Sequence, residues 1–248
     1  MRIIISPAKK MKIETDSFGH HQLPQFIDES ERLMIYLKGL RIPELKSLWQ
    51  CSDNITDINH KRLQTMDLNQ RLTPAIIAYE GIQYQSMAAG VLETDEYAYL
   101  EKHLRILSGF YGLLRPFDGV VPYRLEMKAK LKGVDFDSLY EFWNRKLADQ
   151  LFTESQCIVN LASKEYSQSV SRYLNPNIRF VTCIFGELIG GKVIEKGTLV
   201  KMARGEMVKF MAENKVQNVE EIKAFKRSGY VFEEHLSDHS TFVFLKDI

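Results

Sequence analysis

A β-branched run near the start of the chain constrains the fold more than any other sequence feature. Residues 3–5 are three consecutive isoleucines, and Pro7 ends the run. Such a run, with no polar alternation, is typical of a central strand that is buried on both faces. Two further apolar runs, 157–161 and 180–185, are separated by a polar segment of helical length. This β-α-β order predicts an α/β (α+β) chain with a mixed β-sheet flanked by helices.

Apolar residues at helical spacing predict the remaining helices. They cover residues 28–40, 43–50, 53–66, 95–104, 138–152, 200–214 and 219–225. Short β-rich runs predict strands at 75–79, 230–232 and 241–245. Because the chain has no internal repeat, low-complexity run or Gly/Ser/Pro-rich linker, we expect residues 1–248 to form one domain.

Composition excludes several classes of protein. The chain is 45% apolar with a net charge of +1, and no run approaches the roughly 20 apolar residues of a membrane span. No stretch is typical of a signal peptide, so we expect a cytoplasmic protein that does not bind membranes. The three cysteines are far apart and form no Cys-x-x-Cys pair, which argues against a disulfide framework and against a thioredoxin-type motif.

Two candidate segments follow or resemble strands. Lys9 comes just after the first predicted strand, at the end of an open α/β sheet where ligands bind. It is either a phosphate ligand or an exposed lysine. Arg124 and Glu126 lie two residues apart, so on a strand they face the same way. They form either an anion clamp or a plain ion pair.

Two more candidate segments lie on predicted helices. Glu165 lies in the first turn of the helix that follows the apolar run 157–161, where it is either a general base or a partner of the helix dipole. Lys201 and Arg204 share one side of a later helix and can present two cations to one anion. Gly205 costs that helix about 1 kcal/mol relative to alanine, which indicates a close backbone, a ligand or a break in the helix.

These residues define one possible enzyme. If Lys9, Arg124, Glu126, Glu165 and Arg204 converge in a closed pocket, they suit a phosphorylated or carboxylated small substrate, with Glu165 as the base. No phosphate loop, dinucleotide fingerprint or nucleophile elbow is present, and no Cys or His cluster has metal-ligand spacing. We therefore expect no cofactor and no metal, assign no catalytic residue beyond these candidates, and find no motif of a peroxidase.

The middle of the chain carries the most specific signal. Residues 104–118 read LRILSGFYGLLRPFD and are followed at 122–127 by PYRLEM, which resembles the signature of the YaaA peroxide stress protein family. Further matching motifs occur in the family's order. They lie at 5–9, 78–84, 140–143, 160–166, 203–205 and 229–232.

The resemblance implies a function that composition does not. Proteins of this family are bacterial and cytoplasmic, and they support resistance to hydrogen peroxide by limiting free iron and the oxidative damage that it drives. The resemblance also implies an α/β fold that is not a common superfold. It further implies binding of double-stranded DNA through a positively charged cleft and a helix-hairpin-helix-like element. It supplies no catalytic activity.

The implied DNA binding can be placed on residues. The segment 107–112 is the one that resembles a helix-hairpin-helix turn, in which backbone N–H groups bind phosphate oxygens. The candidate DNA contacts are Arg105, Ser108, Gly109, Gly112, Arg115, Lys128, Lys130 and Arg204. Phosphate contacts are insensitive to sequence, so we expect duplex binding without sequence specificity. A third alternative, direct iron binding, requires His235, Asp238 and His239 to be joined by distant ligands.

Overall fold

A computed structural model describes residues 1–16, 18–131 and 136–246, which form ten α-helices and twelve strands. The helices are α1 (Ile27–Lys38), α2 (Ile42–Trp49), α3 (Asp53–Gln64), α4 (Ala75–Ala78), α5 (Ile82–Met87), α6 (Thr94–His103), α7 (Leu139–Trp143), α8 (Lys146–Glu154), α9 (Lys164–Ser171) and α10 (Gly197–Glu213). The strands are β1 (Arg2–Ile5), β2 (Lys10–Met11), β3 (Thr73–Pro74), β4 (Tyr79–Glu80), β5 (Leu104–Ser108), β6 (Gly112–Leu114), β7 (Gly119–Val120), β8 (Cys157–Leu161), β9 (Arg179–Ile189), β10 (Lys192–Ile194), β11 (Tyr230–Phe232) and β12 (Thr241–Lys246). Short 3-10 helices cover Ala89–Val91, Val219–Ala224 and Glu234–Leu236.

Eight strands form one mixed sheet. Its order is β11-β12-β9-β8-β1-β5-β6, and β10 pairs with the end of β9. The five inner strands are parallel, whereas β6, β10 and β11 run antiparallel to their neighbours. The predicted α/β class with a mixed sheet flanked by helices is therefore confirmed.

The isoleucine run is the central strand that its pattern predicted. Ile3 pairs with Leu104 of β5 on one side and with Val159 of β8 on the other. Residues 3–5 are completely buried because both faces of β1 are covered. The next strand of this sheet along the chain, β5, lies on one side of β1, and β8, which follows later in the chain, lies on the other side of β1. The carboxyl ends of β1 and β8 therefore border a crevice of the kind where open α/β sheets bind ligands.

Two predicted elements differ from the structure. Residues 75–78, expected to be a strand, form the short buried helix α4, whose first N–H groups donate to the carbonyls of Asp118 and Pro116. A short buried apolar run has no periodicity that distinguishes strand from helix. The single helix expected at 138–152 is divided into α7 and α8 at Asn144, where φ is 41° and ψ is −128°.

The helix-hairpin-helix prediction was wrong. Residues 104–114 form a β-hairpin in which β5 pairs with β6, with Ser108 opposite Gly112. The apolar residues of β5 are buried because this strand lies beside β1 in the sheet. The Ser108 hydroxyl accepts hydrogen bonds from the N–H groups of Phe110 and Tyr111, and Gly112 adopts a φ of +74°. The turn therefore satisfies its own backbone groups instead of presenting them to phosphates.

Candidate functional site

A pocket of about 430 Å³ opens at the carboxyl ends of β1 and β8. We call it the cationic pocket. Five separate parts of the chain line it: residues 6–10, 80–84 and 123–126, residue 163 with 165–166, and the pair Lys201 and Arg204. All four candidate segments therefore meet here. The pocket contains the five predicted enzyme residues Lys9, Arg124, Glu126, Glu165 and Arg204.

Glu126 lies between two cations of the pocket. Its Oε1 is 3.4 Å from Lys9 Nζ and 3.3 Å from Arg124 Nη2. The side chains of Arg124 and Glu126 are only 12% and 11% exposed, whereas that of Lys9 is 65% exposed. Neither Arg124 Nε nor Glu126 Oε1 has a hydrogen-bond partner among the described residues. The pair is therefore an ion pair and also a wall of the pocket with unused hydrogen-bonding capacity.

Arg204 is a mostly buried cation whose charge is only partly paired. Its side chain is 13% exposed, and the carboxylate paired with it, that of Glu195, lies 3.6 Å away. Arg204 Nε is buried without a hydrogen-bond partner among the described residues. Burial lowers the pKa of Arg204, and Glu195 offsets part of that effect. Because a buried charge without full pairing is costly, this guanidinium favours an anion in the pocket.

Glu165 is held by its neighbours at the start of α9. Its Oε1 accepts a hydrogen bond from the N–H of Lys128 at 3.2 Å, and its Oε2 is 3.9 Å from Lys128 Nζ. Tyr140 donates its hydroxyl to the Glu165 carbonyl at 2.7 Å. The N–H of Ser163, just before α9, donates to Ser6 Oγ at 2.8 Å and so joins the ends of β8 and β1. These contacts fix the carboxylate at one edge of the pocket.

Three tyrosines complete the lining. They are Tyr84, Tyr123 and Tyr166. Burial raises the pKa of Tyr123 to about 12, and it raises the pKa values of Tyr84 and Tyr166 well above the usual range. All three phenols are therefore neutral and supply an aromatic lining but no base. Tyr84 already donates to the Ser6 carbonyl at 2.9 Å.

The tyrosines and Gln83 were not among the predicted site residues. Gln83 lines the pocket, and its Nε2 is buried without a hydrogen-bond partner among the described residues. A local pattern does not separate such residues from an ordinary core. The signal that could have found them is their position, because each lies within one of the family-like motifs, 78–84, 122–127 or 160–166.

Gly205 and Gly109 allow close contacts that shape the pocket. A Cβ atom at Gly205 would lie 2.1 Å from the Gln83 carbonyl oxygen, so of the three explanations for this glycine the structure shows a close backbone. A Cβ atom at Gly109 would lie 2.5 Å from the carbonyl oxygen of Leu125. The hairpin glycine thus places the segment that carries Arg124. Trp143 Nε1 also donates to the Gly109 carbonyl at 2.9 Å.

Several predicted DNA contacts are buried. Arg105 is buried, and its guanidinium binds Glu154 Oε2 at 2.7 and 2.8 Å. Ser108, Gly109 and Gly112 are also buried. These four residues serve the sheet and the hairpin, and they present no surface to a duplex.

The other four predicted DNA contacts differ from one another. Arg115 is half-buried, and its Nε donates to Oδ1 of the buried Asp118 at 3.0 Å. Lys128 and Lys130 are exposed, while Arg204 lies in the cationic pocket. The structure therefore does not bring the eight candidates together on one surface.

Within 1–16, 18–131 and 136–246, no group of three or more His, Cys, Asp or Glu side chains could hold a metal ion. In the same residues, no helix combines the length and apolar character needed to cross a bilayer.

Fold and pocket together define an α/β protein with a mostly parallel sheet and a cation-lined pocket at its carboxyl edge. Comparison with known proteins identifies the family. The family model described as "Peroxide stress protein YaaA" matches residues 1–236, and the chain belongs to this family. This confirms the resemblance carried by the sequence motifs.

Curated relatives match over nearly their whole lengths. A UPF0246 protein of Desulfitobacterium hafniense is 52% identical over 246 residues, which covers 99% of this chain and 98% of the relative. A UPF0246 protein of Pediococcus pentosaceus is 50% identical over 247 residues, covering 100% and 98%. A third, from Agathobacter rectalis, is 50% identical over 248 residues and covers both chains completely.

Proposed function

We propose that this peroxide stress protein binds and converts a phosphorylated or carboxylated small molecule in the cationic pocket. One observation carries the proposal. The Arg204 side chain is only 13% exposed, and within the described part of the chain its carboxylate partner lies 3.6 Å away and its Nε has no hydrogen-bond partner. Arg124, 12% exposed, contributes a second guanidinium. Guanidinium groups bind carboxylates and phosphates with paired, charge-assisted hydrogen bonds.

The remaining candidates have distinct roles in this proposal. Arg124 and Arg204 hold the anion, and the exposed Lys9 attracts it to the mouth of the pocket. Glu126 keeps Lys9 and Arg124 in place through its Oε1. Glu165 is the proposed base, because its carboxylate is oriented by the Lys128 N–H and borders the same pocket.

The test is titration calorimetry with inorganic phosphate and with citrate as probes. Arg204→Gln is expected to weaken binding by at least about tenfold, which corresponds to 1.4 kcal/mol. The control is Lys209→Gln, which removes the same charge from α10 at a position that does not line the pocket. Circular dichroism shows whether both variants are folded. Equal affinities of the wild type and Arg204→Gln for both probes would contradict the proposal.

A second candidate function is binding of duplex DNA through its phosphates. The observation that favours it is the set of exposed lysines at and beside the pocket mouth. They are Lys9, Lys10, Lys128 and Lys201. Such a rim offers phosphate contacts but no base-reading helix, so the proposed binding is independent of sequence.

This second candidate predicts a specific salt dependence. Log affinity for a short duplex should fall linearly with log salt, and Lys10→Ala combined with Lys128→Ala should reduce the slope by about 2. The control combines Lys46→Ala with Lys61→Ala, two changes on α2 and α3 that do not line the pocket. Absence of binding at about 50 mM salt would rule the candidate out.

We further propose that protection from iron-driven damage follows from the pocket's ligand. Carboxylate and phosphate oxygens also bind metal ions, so a protein that removes such a molecule changes the pool of chelated iron. In a bacterium that lacks the gene, Arg204→Gln should fail to restore peroxide resistance, whereas Lys209→Gln should restore it. Full restoration by Arg204→Gln would separate the protective function from the pocket. The cytoplasmic location expected from the sequence stays a prediction.

A further inference from the structure

A second cavity of about 430 Å³ adjoins the cationic pocket. It lies beside α9 and over β8, β9 and the start of β12. Six neutral polar side chains line it together with apolar residues and the charged Lys164, Glu195 and Arg204, and we call it the hydroxyl cavity. The six neutral polar residues are Asn160, Ser167, Ser171, Thr182, Ser240 and Thr241. Arg204 lines this cavity and the cationic pocket alike.

Arg204 thus stands at the border of the two cavities. Its guanidinium has five N–H donors in a fixed fork. Its Nε has no hydrogen-bond partner among the described residues, and its acidic neighbour Glu195 lines the hydroxyl cavity. An anionic group bound to Arg204 can therefore carry one substituent into the cationic pocket and another into the hydroxyl cavity.

The two cavities differ in chemistry. The cationic pocket is lined by the aromatic residues Tyr84, Tyr123 and Tyr166, which suit a planar ring. In the hydroxyl cavity, the buried Asn160 accepts a hydrogen bond from the Ala162 N–H at 3.0 Å and donates to Thr182 Oγ1 at 3.3 Å. A serine or threonine hydroxyl both donates and accepts, and so matches the hydroxyl groups of a sugar.

We propose that the two cavities form one two-part site for a ligand with a central phosphate or pyrophosphate and two arms. The anionic centre binds Arg204, an aromatic ring lies among the tyrosines, and a sugar occupies the hydroxyl cavity. The chemical class is a nucleotide linked through its phosphates to a sugar. This inference rests on the proposed anion binding by the cationic pocket. Cavities of this combined size lie within the usual range for ligand sites of 300–1,000 Å³.

The experiment compares three probes by calorimetry. Phenyl phosphate carries the ring alone, ribose 5-phosphate carries the sugar alone, and ADP-ribose carries both arms. ADP-ribose is expected to bind at least about tenfold more tightly than either of the others. Thr182→Val should lower the affinity for ADP-ribose and for ribose 5-phosphate by about fivefold to tenfold, since one ligand hydrogen bond is worth about 1 kcal/mol. The affinity for phenyl phosphate should not change. Thr153→Val, on α8 and outside both cavities, should change none of the three.

The outcomes separate this inference from the function on which it rests. Similar affinities for all three probes, unaffected by Thr182→Val but weakened by Arg204→Gln, would overturn the two-part site and leave anion binding intact. Absence of binding for every probe, inorganic phosphate and citrate included, would overturn both. Urea unfolding of Thr182→Val, with a midpoint close to that of the wild type, confirms that lost affinity reflects the lost hydroxyl.

Discussion

Gly205 shows how one residue fixes the distance between two helices. A glycine within a helix costs about 1 kcal/mol relative to alanine. Here it lets α10 approach α5 so closely that a Cβ atom would lie 2.1 Å from the carbonyl oxygen of Gln83 and 2.9 Å from Cβ of Ser86. The contact sets Arg204, the residue before Gly205, beside Gln83 in the pocket wall.

This geometry predicts that Gly205→Ala destabilises the protein although alanine favours helices. Forcing a methyl group against a backbone carbonyl should lower the free energy of unfolding by about 2–3 kcal/mol. Gly197→Ala is the matched control on α10, because no atom lies within 4 Å of its added Cβ. That variant should be neutral or slightly stabilised. Urea unfolding measures both, and equal stabilities of the two variants would contradict the contact.

The buried thiol of Cys183 allows a prediction about peroxide. Burial raises the pKa of Cys183 to about 12, so the thiol stays protonated at neutral pH. Because the thiolate is the form that peroxide oxidises, Cys183 should remain unmodified in the native protein. Mass spectrometry after exposure to hydrogen peroxide should show oxidation of this residue in urea and little in buffer. Rapid formation of sulfenic acid at Cys183 under native conditions would contradict the burial of this thiol.

At the residue scale, the sequence identified the charged part of the site and missed the neutral part. Lys9, Arg124 and Arg204 were recognisable as site candidates because a charge near an apolar strand or within a helical stripe departs from the local pattern. Tyr84 and Tyr123 follow the pattern of a core aromatic residue, and nothing local distinguishes a ring that faces a cavity from one that faces a side chain. Their assignment required the tertiary structure.

At the scale of elements, one carboxylate joins two strands to a helix. Glu154 at the end of α8 accepts hydrogen bonds from Arg2 of β1 and Arg105 of β5, each within 2.8 Å. Burial acts to raise the pKa of Glu154, but the hydrogen bonds from Arg2, Gln150 and Arg105 outweigh it, and the net pKa is lowered. A lowered pKa in the folded state means that the carboxylate stabilises the fold above its unfolded pKa.

The stabilisation by Glu154 should therefore be lost as pH falls through its lowered folded pKa. Glu154→Gln is expected to be less stable than the wild type at pH 7 by about 3 kcal/mol, because Arg2 and Arg105 lose the carboxylate charge that they share. On acidification below about pH 4 the difference should shrink, since the wild-type carboxylate becomes protonated. Glu44→Gln, on the exposed surface of α2, is the control and should have little effect. A difference that stays constant with pH would contradict this account.

Elements were predictable where periodicity was long and unmixed. The sequence located α1, α6 and α10 within a few residues, since their apolar stripes extend over several turns. It misjudged α4, whose four residues are too few to show a period. It also read residues 107–112 of the buried β5–β6 hairpin as the turn of a helix-hairpin-helix-like element, because the partner that makes β5 a strand is β1, about a hundred residues earlier.

At the scale of the whole molecule, the pocket exists because the sheet brings distant segments together. Its walls come from near residue 8, residue 82, residue 125, residue 164 and residue 203. Four of these segments were predicted by local pattern and the one near residue 82 was noted only as a family-like motif. Their meeting depends on the order β8-β1-β5, and no local pattern encodes that order. The sequence therefore predicted the charged members of the site, and left their convergence as one of two alternatives.

A site built from the whole chain links ligand binding to global stability. A ligand that binds the native state alone stabilises it by about 2.7 kcal/mol at one hundred times its dissociation constant. Inorganic phosphate should therefore raise the urea midpoint of the wild type, in a single transition with an unchanged slope, if residues 1–248 form one cooperative domain. Phosphate also stabilises proteins by exclusion from their surface, and Arg204→Gln measures that contribution because it lacks the specific site. An equal shift in both proteins would argue against the site, and two separate transitions would argue against a single domain.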